Sequence, residues 1–194
     1  MKDYKLVLAS SSPRRRALLG EAGVEFIVSE PGVDERFHPE LSPVQNAENT
    51  AMNKARAVSR LYPADPVLGA DTIVVLDGQV IGKPEDEKHA EWMLNSLSGR
   101  EHQVVTGFAI VHAGRELFVK SSSVSKVRFR NVAPDDIKRY VAGGEPMDKA
   151  GAYAIQGGAA MWVESYSGSY SNIIGLPMED VRETFLGLGY DIFP

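Results

Sequence analysis

The sequence predicts an α/β protein with a mixed sheet, and two observations support that fold class. Apolar runs of strand length intermix with segments whose apolar residues recur every three or four positions, as in amphipathic helices. Some successive strands are separated by a helix, whereas others are joined by short turns, so parallel and antiparallel pairs are both expected. The chain has 194 residues and contains no internal repeat. We therefore expect residues 1–194 to form a single domain.

The first half of the chain predicts strand, helix, strand, helix and hairpin in that order. Ser12 is a suitable N-cap and Pro13 occupies the first helical position, where proline is tolerated. Asp77 and Gly78 form a typical hairpin turn between two strands. The predicted segments are a strand at 5–10, a helix at 12–23, a strand at 24–30, a helix at 42–63 and a strand-rich run at 66–84.

The second half predicts a helix, two long strands and further short elements. Acidic residues in the first turn of the segment that begins at Ala133 suit the positive end of a helix. We expect helices at 85–99, 133–144 and 176–189, a hairpin of long strands at 102–114 and 116–130, and a second hairpin of strands at 160–168 and 170–175.

Composition excludes several classes of function. With 21 Lys and Arg against 26 Asp and Glu, the net charge of −5 disfavours broad binding to nucleic acid or to an anionic membrane. The absence of cysteine excludes disulfides and thiolate chemistry and fits a reducing cytoplasm. Because no apolar stretch approaches the ~20 residues that span a bilayer, we expect a cytoplasmic protein without a membrane partner. The negative net charge predicts no stable nucleic-acid complex.

A serine-rich turn followed by three arginines predicts an anion site. The first N–H groups of a helix are unpaired, and its dipole makes that end positive. Ser10 and Ser12 belong to the turn, and Arg14 and Arg15 lie nearest the helix end. Because successive helical residues fan out by ~100°, Arg16 is expected to point away. The alternative is a capped helix start whose arginines face solvent.

Lys54 and Asp71 are charged residues in apolar surroundings. Lys54 shares a helix side with alanines and valines, so it either extends its stem past the core edge or projects its ammonium into a cleft. Asp71 lies within a strand-like run that reads as buried, where a carboxylate requires a partner. It is a candidate general base, metal ligand or structural acceptor. If Glu35 faces Asp71 across a cleft, the two carboxylates can hold a magnesium ion.

Three further polar residues follow strands or turns. Lys83 lies between a glycine and a proline that fix the chain locally, although alone it resembles a surface lysine. Lys149 and Gln156 belong to a glycine-rich and alanine-rich segment, and Gln156 can donate to and accept from the edge of a planar base. The alternative for this segment is a polar turn. No phosphate-binding lysine loop, dinucleotide fingerprint or serine-hydrolase motif is present.

An ordered series of motifs resembles the Maf family of nucleoside triphosphate pyrophosphatases. They are "LASSSPRR", "VDE", "NKA", "LGADT", "GKP", "LSG", "DKAGAYAIQG" and "GLP", which together extend from Leu6 to about Pro177. The string "MDKAGAYAIQG" is similar to the branch that cleaves dTTP and UTP. Departures are small: Ala154 replaces a frequent glycine, and "VTGFAI" is a variant strand.

The resemblance implies a fold similar to that of inosine triphosphate pyrophosphatases, with a long twisted mixed sheet, helices on both faces, two lobes around a cleft and often a homodimer. It implies hydrolysis of a nucleoside triphosphate to the monophosphate and pyrophosphate with a divalent cation, Mg²⁺ or Mn²⁺. Asp71 matches the family's proton acceptor. Arg14, Thr72 and Gln156 match positions associated with substrate choice; Ser10, Arg15, Glu35, Lys54, Lys83 and Lys149 match the polar cleft. Alternatives are 7-methyl-GTP or another modified nucleotide as substrate, or a nucleotide-binding regulator of division with little catalysis.

Overall fold

One mixed sheet of seven strands forms the centre of the structure, a computed structural model that describes residues 5–194. The strands lie in the order β2-β1-β3-β5-β6-β7, and β4 pairs with the end of β3. β1 is parallel to β2 and β3, and the other pairs are antiparallel. The predicted mixed sheet is confirmed. The strands are β1 (Leu6–Ala9), β2 (Phe26–Val28), β3 (Val67–Leu76), β4 (Gln79–Ile81), β5 (Glu101–His112), β6 (Leu117–Phe129) and β7 (Val163–Ser167).

Helices cover both faces of the sheet. α2 packs on one face, while apolar side chains of the other five helices join the core on the opposite face. None of the helices within residues 5–194 has the length and apolar character needed to cross a membrane. The helices are α1 (Pro13–Glu21), α2 (Pro43–Ser59), α3 (Glu87–Leu97), α4 (Pro134–Ala142), α5 (Tyr170–Ile174) and α6 (Met178–Gly187).

Local sequence signals explain where the two helices nearest the cleft begin. The Ser12 hydroxyl accepts a hydrogen bond from the Arg15 backbone N–H, and Pro13 is the first residue of α1, as predicted. At α2, the Ser42 hydroxyl accepts from the Gln45 backbone N–H and the Gln45 side chain accepts from the Ser42 N–H. This reciprocal arrangement is a capping box, which satisfies two N–H groups that a helix start leaves unpaired.

Small residues bring α2 into direct contact with the sheet. A Cβ atom added at Gly69 would lie 2.3 Å from the Ala51 carbonyl oxygen, and one at Gly107 would lie 2.4 Å from the Ala47 carbonyl carbon. No side chain fits at either position, so the helix backbone packs on bare strand backbone. The small side chains of the alanines of α2 permit this close approach.

The predicted second hairpin is wrong. Residues 158–162 form a 3₁₀ turn, β7 pairs with β6, and the segment expected to be the second strand is α5. The Ser169 hydroxyl caps α5 by accepting from the Asn172 backbone N–H. Gly168 and Gly175 flank the helix with φ angles of +96° and +133°. These turns, which glycine adopts without strain, isolate a single short helix instead of continuing a strand.

A fork in the sheet creates the cleft. β1 pairs with β3 over Val67–Gly69, and β4 pairs with the same edge of β3 over Val74–Leu76. Between them, at positions 70–73, no strand of the described chain pairs with that edge. β1 ends beside this gap and leads into α1. Ligands of open α/β sheets commonly bind at such a place, beyond the carboxyl end of a strand.

Candidate active site

A cavity of about 530 Å³ opens at the fork of the sheet, and all eleven site residues predicted from the sequence line it. They come from six separate parts of the chain, so the fold brings together residues up to 146 positions apart in sequence. Their chemical roles are considered below. The eleven are Ser10, Ser12, Arg14, Arg15, Glu35, Lys54, Asp71, Thr72, Lys83, Lys149 and Gln156.

Positive charge is concentrated in the cavity. Six cationic side chains and three carboxylates line it, although the whole chain carries a net charge of −5. An anionic ligand therefore gains local attraction that the chain as a whole does not supply. The six cations are Arg14, Arg15, Arg36, Lys54, Lys83 and Lys149, and the carboxylates are Glu35, Asp71 and Asp148.

Lys54 connects α2, β3 and the loop that follows β2. Its side chain is buried, and its Nζ lies 2.8 Å from Asp71 Oδ1 and 2.7 Å from Glu35 Oε1. It also approaches the carbonyl oxygen of Ala70 at 3.5 Å. Of the two alternatives for Lys54, the ammonium lies in the cleft. The close packing of α2 on the sheet explains how its side chain reaches the strand.

The two carboxylates that share Lys54 differ in their surroundings. Burial by itself would raise the pKa of Glu35, but the hydrogen bond and charge of Lys54, with the charges of Lys83 and Arg15, lower that pKa below its ordinary value. Asp71 is only 15% exposed, and within residues 5–194 its Oδ2 atom has no hydrogen-bond partner. Glu35 therefore stays ionised near neutral pH, and Asp71 keeps one oxygen available toward the cleft.

Arg15 joins three walls of the cleft. Its Nε donates to the Gly175 carbonyl at 2.8 Å, its Nη1 to the Ser10 hydroxyl at 3.2 Å and its Nη2 to the Thr72 hydroxyl at 3.0 Å. Burial is the main cause that lowers the pKa of this guanidinium, and the neighbouring Arg14 adds to it. Three of its five N–H groups are used by the protein, so Arg15 first of all holds the site together.

The other two arginines of the motif, Arg14 and Arg16, lie in different surroundings. Arg14 is half-buried and lines the cleft, where its guanidinium is not engaged by any hydrogen bond or ion pair among residues 5–194. Arg16 is exposed, and its Nη2 donates to the Ser11 carbonyl at 3.0 Å. The expectation that Arg16 points away from the site is confirmed.

The opposite wall consists of β4 and the segment 145–156. The Gly151 N–H donates to the Gly82 carbonyl at 2.9 Å, which ties this segment to the chain just beyond β4. Lys149 Nζ donates to the Glu145 carbonyl at 2.6 Å and to Asp148 Oδ1 at 2.7 Å. Lys83 and Gln156 are exposed on this wall, free to meet a ligand in the cleft.

Sequence reasoning missed residues that support the site from behind. Asn46 of α2 is buried; its side chain accepts from the His38 N–H at 2.8 Å and donates to the His38 carbonyl at 2.9 Å and the Leu41 carbonyl at 3.2 Å. It thereby fixes the loop that carries Glu35. Thr106 and Asn172 are fully buried behind Thr72. The only local signal for these residues is a polar side chain within an otherwise apolar segment.

The family model described as Maf-like protein matches residues 5–187, nearly the whole described chain. The chain belongs to this family. The motifs at the turn after β1, in the loop after β2, in α2, in β3, just beyond β4 and in the segment 145–156 line the cleft. The family resemblance inferred from those motifs is confirmed.

Several curated relatives are similar over nearly their full length. A dTTP/UTP pyrophosphatase of Symbiobacterium thermophilum is 52% identical over 97% of this chain and 96% of its own. Proteins of the same description from Citrifermentans bemidjiense and Moorella thermoacetica are each 46% identical over 97% of this Maf-like chain, covering 98% and 97% of their own lengths.

A solved structure with low sequence identity supports the fold. A HAM1 protein from Coxiella burnetii has a TM-score of 0.50 and 17% identity, covering 96% of this chain and 98% of its own. At that identity the similarity concerns the fold alone. It agrees with the expected architecture of a mixed sheet flanked by helices around a cleft.

Proposed function

We propose that this Maf-like protein hydrolyses dTTP and UTP to the nucleoside monophosphate and pyrophosphate. The observation that carries the proposal is the convergence, in one cavity, of the Asp71 carboxylate with cations from five parts of the chain. A triphosphate with about four negative charges requires several cations, and hydrolysis requires a group that accepts a proton from water. Curated relatives of similar length described as dTTP/UTP pyrophosphatases support the choice of substrates.

Asp71 is the proposed general base. Its Oδ1 is held by Lys54 at 2.8 Å, which fixes the carboxylate while Oδ2 remains available. In the proposed step, a water oxygen bonds to the α-phosphorus as its proton passes to Asp71. The bond from the α-phosphorus to the bridging oxygen breaks, and pyrophosphate leaves with that oxygen and its electron pair. Arg14, Lys83 and Lys149 lie where they can offset the charge of the leaving group.

A divalent cation fits the donors present. Glu35 and Asp71 each hold Lys54 Nζ through one oxygen, and the second oxygen of each carboxylate has no hydrogen-bond partner among residues 5–194, so both carboxylates can still offer an oxygen ligand. The described residues contain no group of three or more His, Cys, Asp or Glu that could hold a metal ion. Mg²⁺ is commonly bound by one or two carboxylates together with substrate phosphates and water, so this pair suits Mg²⁺, or Mn²⁺, bound with the nucleotide. When bound, the cation neutralises phosphate charge.

The test is an assay of the purified protein with dTTP, UTP and 7-methyl-GTP, with and without Mg²⁺, in which the products are separated. We expect monophosphate and pyrophosphate from dTTP and UTP, and dependence on the cation. Release of orthophosphate, or of no product, contradicts the proposal. Preferential cleavage of 7-methyl-GTP favours the modified-nucleotide alternative, and tight binding without products favours the regulator.

A homodimer and a cytoplasmic location complete the proposal. Both come from the family resemblance and the composition. Light scattering coupled to size-exclusion chromatography tests the first, and cell fractionation tests the second.

A further inference from the structure

Thr72 lies on the side of β3 opposite to Asp71, with a chain of buried hydroxyl groups behind it. Thr106 is directly across from Thr72 in the β3–β5 pair and is fully buried. The two hydroxyl oxygens are 3.0 Å apart, and Thr106 Oγ1 donates to the Asn172 carbonyl at 3.1 Å. Asn172 is itself fixed, because its side chain donates to the Val104 carbonyl at 3.0 Å and the Ser125 hydroxyl at 2.8 Å. The chain of hydrogen bonds therefore ends on a rigidly held acceptor, the Asn172 carbonyl.

The direction of these hydrogen bonds determines what Thr72 can offer to a ligand. A threonine hydroxyl has one proton and two lone pairs. One lone pair of Thr72 accepts from Arg15 Nη2 at 3.0 Å. Because the proton of Thr106 goes to Asn172, the Thr106 oxygen accepts the proton of Thr72. The second acceptor within reach, the Gly175 carbonyl at 3.3 Å, would also keep that proton inside the protein. Toward the cleft, Thr72 presents a lone pair and no proton.

The surroundings of Thr72 suit a planar base more than a phosphate. Val74 and Val104 form the next pair along the same face of the sheet, and both line the cleft. Ile173 and Ile174 of α5 line the cleft as well and are buried against this face. An apolar wall beside a few well-placed polar groups, here the Thr72 hydroxyl held by Arg15, is typical of sites that orient a flat, uncharged part of a ligand.

We infer that Thr106 is a positioning residue that fixes the Thr72 hydroxyl as a hydrogen-bond acceptor, and thereby selects bases that carry a ring N–H at that point. The inference rests on the proposed function and refines it. Uracil and thymine carry a proton on N3, whereas N3 of cytosine is an unprotonated acceptor. With cytosine, the lone pair of N3 would face the lone pair of the Thr72 hydroxyl in a partly buried site. Neither acceptor would then have a proton to share, which disfavours binding of that base.

The experiment compares UTP with CTP on the wild-type protein, Thr106→Val and Thr106→Ser. Valine preserves the shape of threonine without the hydroxyl, so Thr72 is left with only the longer contact to Gly175 and can rotate its proton toward the ligand. Serine retains the hydroxyl and is the matched control. For each protein, kcat and KM are measured for both nucleotides from pyrophosphate release, and the fold is checked by circular dichroism.

We expect the ratio of kcat/KM for UTP over CTP to fall about 10-fold in Thr106→Val, mainly through KM, and to stay near the wild-type value in Thr106→Ser. An unchanged ratio in a folded Thr106→Val, or equal losses in both variants, overturns the inference while the proposed function stands. A wild-type protein that releases no pyrophosphate from UTP overturns the proposed function itself. If Thr106→Val does not fold, kcat/KM of the wild-type protein is measured with N3-methyl-UTP and with UTP. A value for N3-methyl-UTP at least about 10-fold below that for UTP supports the inference, and equal values overturn it.

Discussion

Asp71 and Thr72 are neighbours in sequence, yet they lie in two chemically different halves of the cleft. Because successive strand residues point to opposite faces, Asp71 meets α2 and the charges of Lys54 and Glu35, whereas Thr72 meets hydroxyls and apolar side chains. At an unpaired stretch of strand edge, here positions 70–73 of β3, one ligand can reach the side chains on both faces of the strand. Because of the fork in the sheet, β3 offers a ligand the proposed general base Asp71 on one face and the proposed recognition residue Thr72 on the other.

The largest effect is expected from Asp71→Asn. The amide keeps the shape of the carboxylate but accepts no proton from water, so kcat should fall about 10²–10⁴-fold. Pyrophosphate release from UTP is the measurement, with thermal unfolding as the check on the fold. The companion Thr72→Val, on the recognition face, should act more on KM than on kcat. Turnover near the wild-type level in Asp71→Asn would contradict the assignment of the reaction to this face.

The next effect is expected from Lys54→Met. The substitution removes the cation shared by Glu35 and Asp71, so the carboxylates lose their common partner, and kcat should fall about 10²-fold or more. Lys120→Met is the matched control, because Lys120 pairs with Glu48 at 3.4 Å outside the cleft. Lys120 is exposed, so this pair should contribute little. Similar kinetics in the two variants would show that Lys54 has no special role.

Gly107→Ala tests the packing that brings Lys54 to Asp71. A Cβ atom at this position would meet the backbone of α2 at 2.4 Å, so the helix must move away from the sheet. We expect a loss of about 1–3 kcal/mol in the free energy of unfolding, measured with urea, and reduced activity. Gly187→Ala is the control, since nothing lies within 4 Å of the added atom. Equal stability of the two variants would mean that α2 does not need its close approach.

The smallest effect is expected in the contribution that Glu35 makes to the stability of the fold, which depends on pH. Its pKa is lowered in the folded state, so its ionised form stabilises the fold above the pKa of the unfolded chain, and this contribution is lost as pH falls through the folded pKa. Wild type should therefore be more stable than Glu35→Gln at pH 7, and the difference in melting temperature should close in acid. A gap that widens on acidification would contradict the ion pair with Lys54.

Much of this arrangement follows from local sequence signals. Caps and periodicity predict α1 and α2, and a carboxylate in an apolar strand marks Asp71. The meeting of Lys54 with Asp71 depends on how closely α2 packs, which Gly69 and Gly107 determine. The sequence predicts a strand in the segment of α5, and Ile173 and Ile174 favour that conformation. The Ser169 cap and the flanking glycines instead favour the short helix that the structure shows.

Arg15 shows what sequence reasoning could not find. It was expected to bind phosphate beside Arg14, and it does line the cleft, but its Nε hydrogen bond goes to a carbonyl 160 residues away. Only the tertiary structure reveals that contact. For the same reason, Thr106 and Asn172 carry no motif, although they determine which way the Thr72 hydroxyl points.

The position of bond cleavage tests the central claim most directly. The protein is incubated with UTP in ¹⁸O-labelled water, and the products are analysed by mass spectrometry. Attack of water on the α-phosphorus, activated on the Asp71 face, predicts one ¹⁸O atom in UMP and none in pyrophosphate. Label in pyrophosphate, or in orthophosphate accompanied by UDP, would contradict it.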